Sequence, residues 1–478
     1  MKKISALFTL AFLSFNVFSE GLPPSVLQAL KAAQIPSASV AVVVQAVDTS
    51  QPLVAHNTKQ AMNPASVMKL VTTYAALDLL GPAFQWKTSA LVETEAVNGR
   101  LEGNLYLKGS GDPRFAIEHV TALLRQLRTR GIKHIAGDIL LDRTAFNVPS
   151  IDPGAFDDKP MRPYNVGPDG LLINFRALSF TLLTNNGSAQ ILLESPSDGL
   201  QIDNQLKTST TGCGRNWKDF IQIRLLPEGR NQRLEFTGSY SANCGEKSLH
   251  LSPLSADDQA DGLIRALWQE LGGTLGGRVK NGQIAANSKV LVEHESAPLA
   301  DVVRDINKYS NNVMARQVFL SLGNDTAPAT TERARQRIND WLVSRKLNFA
   351  DFFIDNGSGL SRTGRISAGN LNQLLVDAWK NPLMPEFISS MPIVGIDGTM
   401  KKRLKDSDAT GRAHIKSGTL DGVKAAAGYA LDAQGRPYAV SFLINHPKAQ
   451  GGSAAIDALL VWVAQRRLGE TAPMLEKE

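Results

Sequence analysis

Apolar residues near the start of the chain follow two patterns, one typical of a buried strand and the other of a helix. Residues 38–47 form a β-branched, apolar run that predicts a buried strand, and a shorter strand is predicted at 52–55. A turn-forming Asn-Pro pair then leads into a helix-like apolar run over residues 63–80. This order places Ser66 in the first turn of a helix at the edge of a sheet.

Beyond residue 81, short apolar stretches alternate with Gly, Pro, Asn and Asp, which is typical of strands joined by turns. A helix is predicted at 117–130. The strands of this section are predicted at residues 101–107, 139–142, 171–183, 190–194, 220–226 and 234–238. The section therefore indicates one or two β-rich modules, ending near residue 290, inserted after the Ser66 helix.

Helical periodicity returns in the last part of this section, from residue 257, and continues beyond it before the chain forms a sheet. Helices are predicted at residues 257–271, 299–308, 313–322, 330–346, 367–379 and 454–468, and strands at 413–417, 423–431 and 438–444. The last helix is apolar on one side and should pack on the sheet that precedes it. These elements predict the α/β (α+β) class.

The composition is that of a globular protein with a substantial core. The chain has 478 residues, of which 43% are hydrophobic and 20% charged. Its formal net charge of +6 is spread over the chain without a long Lys/Arg run. This mild excess suits contact with anionic wall polymers, but it is too diffuse to predict nucleic-acid binding.

The first residues have the character of a secretory signal. Lys2 and Lys3 precede an apolar stretch at 4–15, and a junction suited to signal peptidase follows at 17–19. We predict that residues 1–19 are a cleaved signal peptide, with an uncleaved anchor as the alternative. No later segment has the long uncharged run of a membrane helix, so we expect at most peripheral membrane contact.

Two cysteines, Cys213 and Cys244, are present in the sequence. In an exported protein a single pair predicts one disulfide that closes a loop-rich stretch. Two buried free thiols are the alternative.

Ser66 and Lys69 are three residues apart, which on a helix places both on one face. A serine hydroxyl needs a base, and a lysine can be that base when desolvation or a nearby cation favours its neutral amine. The free N–H groups at the start of a helix also favour the developing alkoxide. We therefore predict Ser66 as nucleophile and Lys69 as its base, although Ser-x-x-Lys alone is weak and an ordinary helix start is the alternative.

Ser310 and Asn312 lie at a junction between two predicted helices. The hydroxyl can relay a proton to a leaving amine, and the amide can hold a substrate carbonyl and a lysine head at once. The Ser-x-Asn pattern is unspecific, because it also occurs at residues 241–243, where an ordinary loop is favoured.

Residues 416–419, Lys-Ser-Gly-Thr, end a predicted strand. Gly418 would let a substrate backbone lie alongside as an added strand. Lys416 and the hydroxyls of Ser417 and Thr419 would then face a carboxylate or an acyl carbonyl. A solvated turn is the alternative for this segment.

These motifs follow the order Ser-x-x-Lys, Ser-x-Asn, Lys-Ser/Thr-Gly, which is the signature of penicillin-recognising serine acyl-transferases. With the loops Gly-Ser-Gly-Asp-Pro at 109–113 and Asn-Gly-Ser-Gly-Leu-Ser-Arg at 356–362, the chain resembles the class C low-molecular-mass penicillin-binding proteins, the D-alanyl-D-alanine carboxypeptidase/endopeptidase family. The resemblance implies a transpeptidase-like catalytic domain, an antiparallel sheet flanked by helices, built from residues 20–85 and 290–478. It also implies two smaller β-rich domains at 86–289, one nested in the other.

The resemblance further implies hydrolysis, in the periplasm, of the terminal D-Ala-D-Ala bond of peptidoglycan and of its D-Ala-diaminopimelate cross-link. Ser66 would form an ester after Lys69 takes its proton, and Ser310 would pass a proton to the departing amine. Backbone N–H groups of Ser66 and Thr419 would form the oxyanion hole, and the strand end at Lys416 would hold the terminal carboxylate. β-Lactams would acylate the same serine, and no cofactor or metal is expected.

Two further positions follow from the family pattern. Arg362 closes the 356–362 loop, where relatives use an arginine to recognise the diaminopimelate side chain. Asp157 or Asp158 is a candidate for the ammonium end of that side chain, with a solvated loop as the alternative. The chain departs from many members at Ser417, which stands where they carry threonine and which keeps the hydroxyl.

Two other functional classes compete with this interpretation. A serine β-lactamase shares the three motifs but needs an extra Glu or Tyr to place a deacylating water, and the large insertion argues against it. A non-catalytic wall-binding protein of the same fold would have lost Ser66 or Lys69, and both are present. A zinc peptidase is disfavoured because none of the seven histidines forms a His-Glu-x-x-His cluster.

Overall fold

The computed structural model of the protein describes residues 21–214, 216–228 and 231–467. The helices in this part of the chain are α1 (Pro24–Ala32), α2 (Lys69–Leu80), α3 (Ile117–Thr129), α4 (Ala256–Glu270), α5 (Leu299–Tyr309), α6 (Asn312–Ser321), α7 (Thr331–Ser344), α8 (Ala368–Lys380), α9 (Met384–Ser389) and α10 (Ser453–Gln465).

The strands in the same residues are β1 (Val40–Ala46), β2 (Val54–His56), β3 (Ala61–Met62), β4 (Lys87–Val92), β5 (Arg100–Leu101), β6 (Leu105–Lys108), β7 (His134–Ile135), β8 (Ile139–Asp142), β9 (Leu178–Asn185), β10 (Ser188–Leu193), β11 (Leu200–Asn204), β12 (Lys207–Ser209), β13 (Ile221–Glu228), β14 (Asn231–Ser241), β15 (Lys247–Leu251), β16 (Thr274–Leu275), β17 (Val279–Asn281), β18 (Lys289–Glu295), β19 (Ile366–Ser367), β20 (Ala413–Leu420), β21 (Val423–Leu431) and β22 (Pro437–Asn445).

A five-stranded antiparallel sheet joins the two ends of the chain. Its order is β2-β1-β22-β21-β20, and β1 pairs with β22 in a register that sets Val40 opposite Ile444. The last three strands, which the apolar runs near the end of the sequence predicted, pair as an antiparallel meander. The pairing of β1 with β22 brings the segment before Ser66 next to the final third of the chain.

Helices cover both faces of this sheet, which explains why its strands are apolar on both sides. Along β1, Val42 and Val44 point to a core shared with α1 and α10. Ala41 and Val43 point to the opposite core, which contains α2 and α8. The predicted packing of the last helix on the sheet is therefore observed, and α2 is held between the sheet and the helices that follow the insertion.

The segment between α2 and α5 carries a second five-stranded sheet of order β17-β8-β6-β4-β18. Helices α3 and α4 share its apolar core. Strand β18 pairs with β4, so the sheet of this insertion extends to Glu295, a few residues past the predicted boundary at 290.

A third group of strands, β9 to β15, lies between β8 and α4 in the chain. Strand β14 pairs with β11, β12 and β13, and β9 pairs with β10 and β15 around a separate apolar core. The disulfide between Cys213 and Cys244 closes one end of this group. This chain order is compatible with the predicted nesting of one inserted domain in the other, and the domain boundaries stay a prediction.

Several elements escaped sequence analysis. Strand β4 and helix α9 were not predicted, and the turn that contains Ser66 is a short 3-10 turn, Ala65–Met68, with the α-helix beginning at Lys69. Strand β4 pairs with β6 on one side and with β18, some two hundred residues away, on the other, so local periodicity could not identify the second pairing. The predicted signal peptide lies outside the described residues. Among the residues that are described, no helix combines the length and apolarity needed to cross a membrane.

Candidate active site

The serine and lysine of the Ser-x-x-Lys motif are in contact. The Lys69 ammonium nitrogen, Nζ, donates to Ser66 Oγ at 3.1 Å. Ser66 lies in the 3-10 turn and Lys69 is the first residue of α2, so the contact spans one helical turn. Lys69 is fully buried, whereas Ser66 is partly exposed and lines an open cleft. The hydroxyl is therefore accessible to a ligand while its neighbouring amine is shielded from water.

Two further contacts fix the Lys69 amine from other parts of the chain. Lys69 Nζ donates to Asn312 Oδ1 at 2.6 Å and to the carbonyl oxygen of Ser358 at 2.5 Å. Asn312 begins α6, and the preceding Asn311 caps that helix by accepting from Met314 N. The middle residue of the Ser-x-Asn motif is therefore the helix cap that sets the position of the amide.

The surroundings of Lys69 favour its neutral amine. Burial lowers its pKa well below the ordinary lysine value, and the positive charges of Lys416 and Arg316 lower it further. No described carboxylate accepts a hydrogen bond from this amine to offset that cost. A buried lysine among cations and neutral acceptors can take a proton from a hydroxyl.

A second buried lysine contacts the second motif serine. Lys416 Nζ donates to Ser310 Oγ at 2.8 Å and to the carbonyl of Ser417 at 2.8 Å. Burial lowers the pKa of Lys416 to about 7. Strand β20 thus directs the Lys416 amine to Ser310, and the expected contact of this lysine with a substrate carboxylate stays a prediction.

Ser310 has an uncommon backbone conformation. It ends α5 with φ 57° and ψ 39°, in the left-handed region that L-residues with a side chain rarely adopt. The conformation turns the chain from α5 into α6 and sets the hydroxyl next to Lys416. Such conformations cluster at functional sites, where the surrounding structure holds them.

The end of strand β20 carries the remaining residues of the third motif. Ser417 Oγ lies 3.0 Å from Thr399 Oγ1, and Thr419 is exposed. Gly418 packs against the turn of Ser66, because a Cβ there would lie 2.6 Å from the carbonyl oxygen of Pro64. The absence of a side chain at Gly418 therefore allows the close approach of the nucleophile's own turn, in addition to the space that a substrate strand is expected to need.

The glycine-rich loop 356–362 also packs against this turn. Gly359 has φ +76°, and a Cβ on it would lie 1.9 Å from the carbonyl oxygen of Ala65. Ala65 itself has φ 47°. Asn63 Nδ2 donates to Ser361 O at 2.9 Å and so ties the two segments together. The loop therefore supports the Ser66 turn and supplies the Ser358 carbonyl to Lys69, a role that its sequence did not reveal.

The residues predicted for side-chain recognition lie apart from the lysines. The Arg362 guanidinium stacks 4.6 Å from the Phe156 ring centroid and donates to the Asp421 carbonyl at 3.3 Å. Asp157 accepts 2.7 Å bonds from Tyr164 Oη and from Asn165 Nδ2. Burial raises the pKa of Asp157, but these bonds outweigh burial and the net pKa is lowered.

Asp158 is exposed and has φ 57°. Of the two aspartates, Asp157 is therefore held in place by neighbours while Asp158 faces solvent.

A cleft of about 790 Å³ opens at Ser66. Its catalytic wall includes the residues 309–313, and its opposite wall comes from the insertion. The residues of that opposite wall are Arg162, Pro163, Tyr164, Asn174, Phe175, Ala177, Ser179, Lys218 and His250. Sequence analysis missed this wall, since its members follow no spacing pattern and come from separate strands and loops.

Comparison with known proteins gives the family. Residues 24–466 match the D-Ala-D-Ala carboxypeptidase 3 (S13) family. The chain belongs to this family. The predicted class of enzyme, a serine-type D-Ala-D-Ala carboxypeptidase, is confirmed by that membership.

Relatives of the S13 family resemble this chain over most of its length. The D-alanyl-D-alanine carboxypeptidase of Actinomadura sp. strain R39 is 27% identical, with 90% of this chain and 82% of that protein covered. The D-alanyl-D-alanine carboxypeptidase DacB of Haemophilus influenzae is 25% identical, with 85% of each chain covered. The crystal structure of penicillin binding protein 4 from H. influenzae matches with a TM-score of 0.73 at 24% identity, covering 94% of this chain and 95% of that one. This likeness confirms the predicted fold class.

We expect Gly359→Ala to impair acylation of this S13 enzyme by a labelled penicillin, because the added methyl displaces the Ala65 carbonyl and the adjacent Ser66. A misplaced nucleophile should lower the second-order rate constant roughly ten- to hundredfold. Gly364→Ala, two residues beyond that loop, is the matched control, since its Cβ would meet its nearest neighbour, Ser361 Cβ, at 3.7 Å. Equal rates for the two variants, measured by a fluorescent-gel time course, would contradict this account of Gly359.

The pH dependence of acylation should depend on Arg316. Lys69 accepts a proton only when neutral, so the acylation rate should rise as pH rises through its lowered pKa. Arg316→Met removes a positive charge, which raises the pKa of Lys69 and moves this rise to higher pH. Arg304→Met, on an exposed position of α5, should leave the profile unchanged. Acylation rates are measured between about pH 5 and 9, at intervals of about one pH unit. If the rate rises at the same pH in Arg316→Met and in the wild type, Arg316 does not lower the pKa of Lys69.

Proposed function

We propose that Ser66 is the acylated nucleophile of this D-Ala-D-Ala carboxypeptidase and that Lys69 is its general base. One observation carries the proposal: the buried Lys69 amine lies 3.1 Å from Ser66 Oγ, with its pKa lowered by burial and by two cations. The contacts from Asn312 and Ser358 hold the amine in that position. Geometry and protonation state thus support the same role.

In the first step, Ser66 Oγ attacks the carbonyl carbon of the penultimate D-alanine while Lys69 Nζ accepts the hydroxyl proton. The carbonyl oxygen becomes negatively charged in the tetrahedral intermediate. We propose that the backbone N–H groups of Ser66 and Thr419 stabilise this charge, a contribution of roughly 3–4 kcal/mol per donor in other enzymes. The close packing of strand β20 against the Ser66 turn at Gly418 supports this pairing.

In the second step, the bond to the terminal D-alanine breaks and its nitrogen takes a proton. We propose that Ser310 supplies it, and the hydrogen bond that its hydroxyl accepts from Lys416 at 2.8 Å supports this role. With a pKa near 7, Lys416 can return a proton to Ser310 near neutral pH. Water then hydrolyses the Ser66 ester and regenerates the hydroxyl.

Substrate recognition is proposed for the exposed end of β20 and for the 356–362 loop. The hydroxyls of Ser417 and Thr419 are proposed to bind the terminal carboxylate, and buried Lys416 is proposed to add positive potential behind them. Arg362 is proposed to contact a charged group of the diamino-acid side chain. Asp157, held in its ionised form by neighbouring hydrogen bonds, is the better candidate than Asp158 for the ammonium end of that side chain.

The proposed substrate is the peptide of peptidoglycan in the periplasm, and β-lactams are proposed to acylate Ser66. A structure of the similar H. influenzae protein is described as complexed with a novel β-lactam. Cleavage of cross-links is a second candidate activity. It is favoured by the 790 Å³ cleft, which extends from Ser66 to the insertion and leaves space beyond a terminal dipeptide.

Intact-mass analysis after incubation with a penicillin tests the nucleophile. We expect one covalent adduct per chain in the wild type and none in Ser66→Ala, because that variant lacks the attacking oxygen. Ser50→Ala, in an exposed turn, is the matched control and should form the adduct fully. An adduct that persists in Ser66→Ala would assign the nucleophile to another residue.

Digestion of purified muropeptides separates the two hydrolytic activities. We expect loss of terminal D-alanine from pentapeptide monomers, and conversion of cross-linked dimers to monomers if the cleft accepts a second stem peptide. Both reactions should stop in Lys69→Ala, which removes the base but keeps the serine. Both reactions are monitored by chromatography and mass spectrometry. Hydrolysis of monomers without cleavage of dimers would restrict the enzyme to carboxypeptidase activity.

A further inference from the structure

A group of basic residues lies on the wall of the cleft that faces the catalytic domain. Arg162, Lys218 and His250 line the same 790 Å³ space as Ser66. They come from three separate segments of the insertion, so only the folded chain brings them together. None of them belongs to the three motifs or to the 356–362 loop.

The positive charges of Arg162 and Lys218 are not neutralised by acids, and the lowered pKa of His250 leaves its imidazole a neutral hydrogen-bonding group near neutral pH. Burial lowers the pKa of Lys218 and the positive charge of Arg162 lowers it further, while His250 is affected in the same way by burial and by Lys218. Among the described residues, no carboxylate forms an ion pair with Arg162 or Lys218, and Asp158, which lines a neighbouring hollow with them, forms none. Like charges held together without an acid destabilise the free protein and favour binding of an anion.

The side chains of Lys218 and His250 are also held in place. The Lys218 ammonium lies 5.3 Å from the centroid of the Trp217 ring. Ser179 Oγ lies 3.0 Å from His250 Nδ1, which orients the imidazole and leaves its Nε2 without a described partner. Side chains that are already fixed before a ligand binds lose less conformational entropy on binding, so the free-energy cost of binding is smaller.

We propose that Arg162, Lys218 and His250 form a second anion-binding site, which holds a carboxylate of the substrate peptide outside the scissile D-Ala-D-Ala unit. This inference rests on the proposed function and deepens it. The terminal carboxylate is assigned to Ser417 and Thr419 of the catalytic domain, so the site on the insertion is available to another acid. A wall peptide carries such an acid in the free α-carboxylate of its γ-linked glutamyl residue.

Steady-state kinetics with two matched peptides tests the proposal. One peptide is a stem pentapeptide with the free glutamyl α-carboxylate, and the other has that carboxylate amidated. We expect the wild type to have a KM roughly tenfold lower for the free acid, the value of a charge-assisted contact, with similar kcat. In Arg162→Gln/Lys218→Gln, KM for the free acid should rise to that of the amide, while KM for the amide should not change.

The matched control is Lys207→Gln/Arg224→Gln, which removes two exposed positive charges from the same group of strands, away from the cleft lining. It should behave as wild type with both peptides. Lys218→Gln alone serves as a milder variant if the double variant folds poorly, and penicillin acylation at the wild-type rate reports an intact catalytic centre.

Three outcomes would overturn the inference. The first is a wild type that does not distinguish the two peptides. The second is a double variant in which KM rises equally for both peptides. The third is a control variant in which KM for the free acid rises as much as it does in the double variant. Failure of the wild type to react with penicillin or with either peptide would instead overturn the proposed function itself.

Discussion

The active site depends on a lysine amine that is buried without a described carboxylate partner. Taking an ammonium group out of water is costly, and the cost is greatest when no opposite charge is near. At Lys69 the fold compensates with three neutral acceptors, from Ser66, Asn312 and Ser358. The residual penalty favours loss of the proton, which is the state that a general base requires. The packing around Lys69 therefore lowers the pKa of its amine and favours its function as a base.

The same constraint explains the close backbone contacts around the serine. The Ser66 turn is enclosed by strand β20 on one side and by the glycine-rich loop on the other, and both approach so closely that Gly418 and Gly359 have no space for a Cβ. Ala65 and Ser310 occupy left-handed conformations at the two ends of the site. Ala65 packs in a small apolar cluster with Leu360 and Leu420, and Ser310 joins α5 to α6, which belong to the large core that also contains α2.

The insertion contributes to the site as well as to the fold. Its strands form their own sheets and cores, yet part of it forms the second wall of the cleft. Arg316 of α6 donates to the carbonyl of Val166 at 2.7 Å, and Gln317 donates to Asp169 O at 2.8 Å. Helix α6, which positions Asn312 beside Lys69, therefore also contacts the insertion. The general base and the far wall of the cleft are both positioned by this helix.

The sequence by itself determined the parts of this protein that depend on neighbouring residues. The apolar runs predicted β21 with its exact observed bounds and α3 to within one residue, and the spacing of Ser66 and Lys69 placed them on one turn. Family motifs indicated which distant segments belong to the site. The motifs did not predict the contacts that their residues make with one another, such as that of the Lys416 amine with Ser310.

Only the tertiary structure decided the contacts between distant segments. Lys69 and Asn312 are 243 residues apart, and Lys69 and Ser358 are 289 apart, so no local pattern encodes their distances. Those contacts follow from the pairing of β1 with β22 and from the packing of helices on that sheet. The wall of the cleft that carries Arg162 and Lys218 was likewise set by the position of the insertion. Local spacing fixes which side chains share a turn, whereas burial and charge at a site arise from everything that packs around it.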